Sequence, residues 1–407
     1  MSDPRPQLRY VEFFPFKNKE GKQMFGVRDP RQISPHVLGL SLEAAGILQF
    51  LDGTRNPEEI RTAYREQWKR ELPNEHLEYV IRTLDEACFL HNETYRRQFA
   101  TLLKAFKSSQ VREAYHAGNG YLKDKVGLNE TLKRHFAPPR GPGFPNGTSN
   151  GREIRGMIVP HIDLRLGGHS YAWAYKELAE GHKPEVAVVL GTGHSGLSNH
   201  FSLTRKDFVT PLGRLPVDGE FVDRVAALCP FDLYADEFAH RTEHTIEFQA
   251  LFLQHLFGNS VTLVPVLCSF SHPMVNEGKQ ATMIRQFIEA LREAMARDRR
   301  RVCLVASADL AHVGPRYGDR DGFRGEELDR VKRADREMLS YAERVDGDGF
   351  IDYIAREDDR RRICGLSPIY TMLKSLEGGK GTLLSHDHGD MDSSGSVCSF
   401  ASVVFEP

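Results

Sequence analysis

Histidine and aspartate residues follow three apolar stretches of the sequence, at the points where the stretches stop. The stretch in MIVPHID stops at His161, the one in VAVVLGTGHSG at His194, and the one in VCLVASADLAH at Asp309 and His312. Short apolar runs rich in β-branched residues are typical of buried strands. Ligands of open α/β sheets bind beyond the carboxyl ends of the strands. The spacing therefore predicts one polar site at one edge of a sheet.

Strand and helix patterns alternate through the part of the chain that carries these residues. The predicted strands are 154–160, 185–190, 261–267, 302–307 and 397–405, and the predicted helices lie near 168–180, 218–228, 243–257, 276–297, 325–343, 347–356 and 366–376. Strands that alternate with helices indicate a three-layer α/β domain whose sheet is mostly parallel. A Pro/Gly-rich loop, 137–151, precedes the first of these strands.

Residues 1–108 are predicted to form a small domain of their own, separate from 109–407. Short strands and three helical patterns indicate a winged-helix fold, with Asn56 as the cap of a helix that begins at Pro57. The segments LSLEAAGILQFLDGTRNPEEI and VIRTLDEACFL resemble the peptide-recognition winged helices of the PqqD type. The resemblance implies a peptide ligand. A structural cap with no ligand of its own is the alternative.

Composition limits the partners and the compartment. The 407 residues include 54 Lys and Arg against 56 Asp and Glu, a formal net charge of -2, and this balance predicts no nucleic-acid or membrane partner. The apolar runs are shorter than a membrane helix requires, and MSDPRPQLRY has no apolar signal core. The six cysteines include no C-x-x-C pair and are expected to be reduced. A cytoplasmic protein is predicted.

Two local motifs suggest other chemistry. GTGHSG matches G-x-G-x-x-G, but the segment after it lacks the helical periodicity that a dinucleotide site needs. HRTEH, residues 240–244, matches the H-x-x-E-H pattern of zinc peptidases. That function requires a helix beginning before His240, so that His240 and His244 share a face with Glu243 as the base. Asp236, Glu237 and Thr242 are equally good helix starts, and the peptidase hypothesis stays open at this point.

Cys364 directly precedes a predicted helix, in ICGLSPIYTML. A helix N-terminus lowers the pKa of a thiol and favours the thiolate, which binds metals. The alternative is a small buried core residue. The remaining candidates are predicted to be structural: Cys229, Cys268 and Cys303 in the core, His169 at a helix start, and His386 and His388 in a solvated turn.

Seven segments in this order resemble the Memo family, also known as AmmeMemoRadiSam system protein B. They are REAYHAGNGY, VPHIDLRLGGHSYAWAY, LGTGHSG, EHTIEFQ, VPVL, SADLAHVG and ICGLSPI, and together they span nearly all of 111–407. The resemblance implies a fold similar to that of class III extradiol dioxygenases, whose non-haem iron is held by two histidines and a carboxylate. It also favours a helix start at Glu243 and His244, which weakens the zinc-peptidase hypothesis.

Carried onto this chain, the resemblance implies metal ligands at His161, His194 and Cys364, with the cysteine in place of the carboxylate. It implies further polar positions around the cavity at His244, Asp309 and His312. Fe(II) is the expected metal, with zinc and copper as alternatives, since imidazole and thiolate suit all three. The family often has P-H-A-G-Y where this chain has P-H-I-D-L. Asp163 is therefore expected to support a ligand or to replace one.

Two classes of function remain. The first is a metal-dependent redox enzyme in which His244, Asp309 and His312 handle protons or orient the substrate. The family resemblance implies radical-SAM and AMMECR-type partners for it, and a role in peptide or protein modification. The second is a binding protein with a vestigial dioxygenase-like site that recognises a peptide or partner without turnover.

Overall fold

The computed structural model describes residues 5–276 and 278–407, and the chain divides into two compact units between Ser108 and Ser109. Each unit has its own hydrophobic core. Within the described residues, no helix combines the length and the apolar character needed to cross a lipid bilayer.

The first unit combines an antiparallel sheet with helices. Its strands are β1 (Glu12–Lys17), β2 (Gln23–Arg28) and β3 (Val37–Leu40), and its helices are α1 (Leu42–Leu48), α2 (Pro57–Trp68), α3 (Asn74–Glu86) and α4 (Glu93–Ser108). Asn56 caps α2 in a reciprocal capping box with Glu59, so the predicted start of this helix is confirmed. The sequence patterns do not predict α4. The winged-helix class and the likeness to PqqD stay predictions.

The second unit contains most of the strands and helices. Its strands are β4 (Val111–Arg112), β5 (Gly156–Val159), β6 (Val186–Thr192), β7 (Phe201–Leu203), β8 (Asp207–Thr210), β9 (Gly213–Leu215), β10 (Thr262–Cys268), β11 (Val302–Ser307), β12 (Asp309–Val313), β13 (Lys380–Asp390) and β14 (Val397–Glu406). Its α-helices are α5 (Lys125–His135), α6 (Leu164–Glu180), α7 (Gly219–Leu228), α8 (His244–Phe257), α9 (Gly278–Ala296), α10 (Glu326–Glu343), α11 (Gly347–Arg356) and α12 (Leu366–Ser375). Short 3-10 helices cover Glu237–Arg241, His272–Val275 and Pro315–Tyr317.

An eight-stranded mixed sheet organises the second unit. Its order is β12-β14-β5-β11-β6-β10-β7, with β13 paired to β14, and a smaller sheet has the order β4-β8-β9. The middle strands β5, β11, β6 and β10 are parallel, whereas β7, β12, β13 and β14 pair antiparallel. The predicted α/β class is confirmed, with a parallel centre and antiparallel margins.

Alternate residues of the central strands belong to two separate hydrophobic clusters. Val188 and Leu304 lie in one cluster, and Val189 and Val305 lie in the other. Because successive side chains of a strand point to opposite faces, both faces of the sheet are covered. Strands buried on both faces are continuously apolar, which explains why the sequence pattern indicates them well. The parallel strands end at one edge of the sheet.

The prediction of a solvated turn around His386 and His388 is wrong. Both residues lie in β13, which pairs with β14 from Lys380 to Asp390. Nε2 of His386 lies 3.4 Å from a carboxylate oxygen of the buried Asp335. Pairing with β14 imposes the strand on a polar sequence that has little apolar alternation of its own.

Candidate metal centre

The predicted site residues converge at the carboxyl edge of the sheet. His161 follows β5, His194 follows β6, and Asp309 begins β12 directly after β11. His244 begins α8, and Cys364 lies two residues before α12. Ligand atoms lie within 4.8 Å of one another in each of three sets: His161, His194 and Cys364; His194, Glu243 and His244; and Asp309, His312 and Cys364.

Buried hydrogen bonds fix the ends of the strands against α8. The side-chain amide of Gln249 donates to the Pro160 carbonyl at 2.7 Å and to the Ser307 hydroxyl at 2.8 Å. That hydroxyl donates to the Thr245 carbonyl at 2.6 Å. One residue in α8 thus connects the ends of β5 and β11, directly beside His161.

Gly191 allows α8 to approach β6. A Cβ atom at this position would lie 2.4 Å from Oγ1 of Thr245 and 2.9 Å from Cγ1 of Ile246. Real Cβ atoms do not approach other atoms so closely, and the contacts are in the first turn of a packed helix. The first glycine of GTGHSG therefore serves helix packing. The motif is followed by a turn region and not by the helix that a dinucleotide site needs, as the sequence predicted.

His161 is the most buried of the candidate ligands, with its side chain 2 % exposed. Its Nδ1 lies 2.9 Å from the carbonyl oxygen of Ser307, and its Nε2 lies 3.2 Å from Sγ of Cys364. Burial, followed by the nearby His194 and His244, holds the pKa of His161 well below its ordinary value. The ring is neutral near pH 7, as a metal ligand must be.

Glu243 connects the other two histidines of the cluster. Its carboxylate accepts the backbone N–H of His194 at 2.9 Å and that of His244 at 2.9 Å. It also lies 3.1 Å from Nδ1 of each of the two rings, which are stacked with their centroids 5.1 Å apart. Burial alone would raise the pKa of Glu243, but His194 and His244 hold it well below its ordinary range. A buried anion thus lies directly behind two imidazoles.

The prediction that a helix N-terminus lowers the pKa of Cys364 is wrong for the metal-free chain. Burial, and then the Asp309 carboxylate, raise the pKa of this thiol well above its ordinary value. Sγ lies 3.7 Å from the Asp309 carbonyl oxygen. The loss of hydration outweighs the dipole of the short helix that follows. Metal binding at this position would have to displace the thiol proton.

Asp309 and His312 share a neighbour, Cys398. Oδ1 of Asp309 accepts the backbone N–H groups of His161 at 2.9 Å and Ile162 at 3.1 Å. Sγ of Cys398 lies 3.7 Å from Oδ2 of Asp309 and 3.4 Å from Nε2 of His312. Burial raises the pKa of Asp309 and lowers that of His312. The shift of Asp309 moves its titration towards neutral pH, whereas that of His312 keeps its ring neutral near pH 7.

Three residues beside the candidate ligands were not predicted for the metal site, although Glu243 was named as the base of the zinc-peptidase hypothesis. Glu243 contacts both neighbouring histidines, Cys398 lies against Asp309 and His312, and the His116 ring lies 5.7 Å from that of His244. The contact of Glu243 with His194 and the contacts of Cys398 with Asp309 and His312 join segments that are distant in sequence. Only the position of Glu243 beside His244 was visible in the sequence.

The helix required for the zinc-peptidase hypothesis is absent from the described segment 237–257. His240 lies in the 3-10 helix Glu237–Arg241, whereas α8 begins at His244 with Glu243 as its N-cap. His240 is buried, with its Nε2 3.1 Å from the Ser202 carbonyl oxygen. The HRTEH residues therefore do not present two histidines on one helical face, and this hypothesis is wrong.

Asp163 is a helix cap rather than a support for a candidate ligand. Its side chain accepts the backbone N–H of Arg165 as the N-cap of α6 and also pairs with the Arg165 guanidinium. His169 is structural as predicted, since it is buried in α6 with its Nε2 3.0 Å from Asp387. Cys229, Cys268 and Cys303 are buried, as predicted for core residues.

The chemistry of the donor set fits a metal ion. Two imidazoles and one thiol are borderline-soft donors, and they lie close enough to coordinate one ion of Fe(II), zinc or copper. Hydrogen bonds orient both imidazoles through Nδ1, as is usual for metal-binding histidines. His194 is 41 % exposed, which leaves the cluster accessible from solvent.

Comparison with known proteins gives one consistent result. A family model described as "Memo-like protein" matches residues 112–404. A MEMO1 family protein of Aquifex aeolicus is 28% identical over 404 residues, which cover 98% of this chain and 100% of that protein. MEMO1 family proteins of Methanopyrus kandleri and Methanobrevibacter smithii are 29% and 30% identical and match 71% and 73% of this chain. These matches cover 96% and 100% of the two archaeal proteins.

Proposed function

The chain belongs to the Memo-like protein family, and from this premise we propose that it is a metal-dependent redox enzyme. His161, His194 and Cys364 would hold the ion, with Fe(II) as the expected metal and zinc or copper as alternatives. The observation that carries the proposal is the convergence of these three donor atoms within 4.8 Å at the carboxyl edge of the sheet. Three protein ligands are typical of catalytic rather than structural sites, because coordination positions stay open.

The bound metal would supply the redox chemistry, and the neighbouring side chains would handle protons and orient the substrate. Nε2 of His312 lies 3.4 Å from Sγ of Cys398, and its lowered pKa keeps the ring neutral near pH 7, able to accept a proton as a general base. Asp309 contacts the same Cys398 thiol as His312 and would stabilise the proton that His312 accepts. His244 is 30 % exposed and stacks on His194, which suits contact with an incoming substrate.

The family also suggests a wider setting for this reaction. We propose the three-layer arrangement of extradiol dioxygenases for the second unit and a PqqD-like winged helix with a peptide ligand for the first. Radical-SAM and AMMECR-type proteins would be partners in peptide or protein modification. The six cysteines are unpaired, which supports a reducing compartment such as the cytoplasm.

The metal content of anaerobically purified protein tests the proposal. We expect near-stoichiometric iron in the wild type and its loss in Cys364→Ala and His194→Ala. Cys303→Ala is the matched control, since Cys303 lies in β11 and is buried in a hydrophobic cluster. Full iron occupancy in Cys364→Ala would contradict the ligand assignment.

A binding protein with a vestigial site is the second candidate. The raised pKa of Cys364 favours it, because a protonated thiol is a weak ligand. In that case neither the wild type nor the variants would retain metal after purification, and iron titrated under anaerobic conditions would not bind.

A further inference from the structure

A single oxygen atom contacts the rings of two histidines. Oε1 of Glu243 lies 3.1 Å from Nδ1 of His194 and 3.1 Å from Nδ1 of His244. The same atom accepts the backbone N–H of His244 at 2.9 Å, while Oε2 accepts that of His194 at 2.9 Å. The Glu243 side chain is only 7% exposed, so water does not replace these contacts.

The hydrogen bonds determine where each ring carries its proton. A carboxylate only accepts hydrogen bonds, and a neutral imidazole has one N–H group. His194, whose Nδ1 hydrogen-bonds to Glu243, therefore carries its proton on Nδ1 and its lone pair on Nε2. The same proton position at His244 avoids placing an Nδ1 lone pair 3.1 Å from the carboxylate. His161 reaches the same state independently, because its Nδ1 lies 2.9 Å from the Ser307 carbonyl oxygen, which is also only an acceptor.

We propose that Glu243 is a positioning residue that fixes His194 and His244 together as Nδ1–H tautomers, so that both rings present Nε2 lone pairs beside that of His161. The three ring centroids lie 5.1 to 5.4 Å apart. One buried side chain thus sets the donor state of two of the three imidazoles. The tautomer concerns the metal-free chain, and only the effect on metal affinity rests on the proposed function.

Glu243 is also the N-cap of α8, so its removal affects the helix as well as the rings. Glu243→Asp separates these two roles. Aspartate is among the preferred N-cap residues, but its side chain is one methylene shorter and withdraws the carboxylate from the rings. Glu243→Ala removes both roles. Far-UV circular dichroism and thermal unfolding of both variants report any loss of the helix itself.

Nitrogen-15 NMR of the histidine side chains in the full-length, metal-free chain is the direct test. The spectra are recorded above the ordinary imidazole pKa of about 6.5. We expect His161, His194 and His244 to be Nδ1–H tautomers in the wild type. In Glu243→Asp and Glu243→Ala, we expect the Nε2–H form at His194 and His244, while His161 keeps its tautomer as the internal control.

Unchanged tautomers at His194 and His244 in both variants would overturn the proposal. A change at His161 in step with the other two rings would also overturn it, because that pattern indicates a general loss of structure. The second readout is Zn(II) affinity, measured by competition with a chromophoric chelator. Loss of a residue that orients a ligand typically weakens metal binding about 10- to 100-fold, and we expect this loss in Glu243→Asp with its helix content unchanged. If Zn(II) does not bind even to the wild type, the proposed function fails, whereas the tautomers still decide the role of Glu243.

Discussion

The ion pair between Arg112 and Glu247 should contribute strongly to the stability of the second unit. Both side chains are 0% exposed. Nε of Arg112 donates to the His240 carbonyl at 2.9 Å, and Nη2 donates to the Glu243 carbonyl at 2.7 Å. Glu247 accepts the backbone N–H of His116 at 3.0 Å. Arg112 therefore holds the segment that leads into α8 and the candidate site.

Arg112→Leu removes the guanidinium and leaves the Glu247 carboxylate buried without a counterion. Breaking a buried pair in this way costs about 3–5 kcal/mol. The control is Arg155→Leu, because the Arg155–Glu153 pair is 45% and 51% exposed. Exposed pairs contribute about 0–1 kcal/mol. The double variant Arg112→Leu with Glu247→Leu removes both charges and should be less destabilised than the sum of the two single variants.

Urea unfolding followed by tryptophan fluorescence measures these differences. The chain has two tryptophans, Trp68 in the first unit and Trp173 in α6 of the second. A Trp68→Phe background makes Trp173 the only reporter, so the transition of the second unit is observed alone. If Arg112→Leu and Arg155→Leu differ by less than about 1 kcal/mol, the argument from the buried pair is wrong.

Three further predictions concern the site and its support. His161→Ala should lose bound iron, whereas His312→Ala should retain iron and lose turnover. Metal analysis and an activity assay of both variants measure this. Equal loss of iron in the two variants would contradict the prediction. Burial lowers the pKa of His240 from 6.5 to about 3, so the unfolded chain binds a proton that the folded chain does not. Stability should therefore fall as the pH decreases from 6.5 towards 3, by about 1.4 kcal/mol per pH unit for this group. His240→Phe should reduce that slope in urea titrations at several pH values, and an unchanged slope would assign the loss to other groups. Gly191→Ala should destabilise the second unit by about 1–3 kcal/mol, because its Cβ would meet Thr245; an unchanged urea midpoint would show that α8 shifts freely.

The central strands and most helices of the second unit were predictable because their periodicity is strong. The predicted ranges 302–307 and 347–356 coincide with β11 and α11. Strands buried on both faces and amphipathic helices carry their pattern in consecutive residues. The predicted strand ends therefore placed His161 and Asp309 at the same edge of the sheet.

Elements that depend on distant partners were not predictable. β13 is polar and is held by its pairing with β14, and the short strands β7, β8 and β9 are three or four residues long. The start of α8 was ambiguous because glutamate is not among the preferred N-cap residues. Glu243 occupies that position while it also contacts His194 and His244, and no local pattern reports such a double role.

Cys364 shows where family resemblance contributed more than local pattern. Its position before a helix suggested a lowered pKa, whereas burial raises it. The local sequence alone does not distinguish this thiol from the core cysteines. The structure places its sulfur 3.2 Å from Nε2 of His161, and the role that the family resemblance implies for both residues, as ligands of one metal, stays a prediction.

X-ray absorption spectroscopy of the iron-loaded, anaerobic protein tests the central claim most directly, because it reports the ligand atoms themselves. We expect one sulfur and two imidazole nitrogens in the wild type, and loss of the sulfur contribution in Cys364→Ser. A first coordination shell of oxygen and nitrogen alone in the wild type, identical in the Cys364→Ser variant, would contradict a metal centre formed by His161, His194 and Cys364.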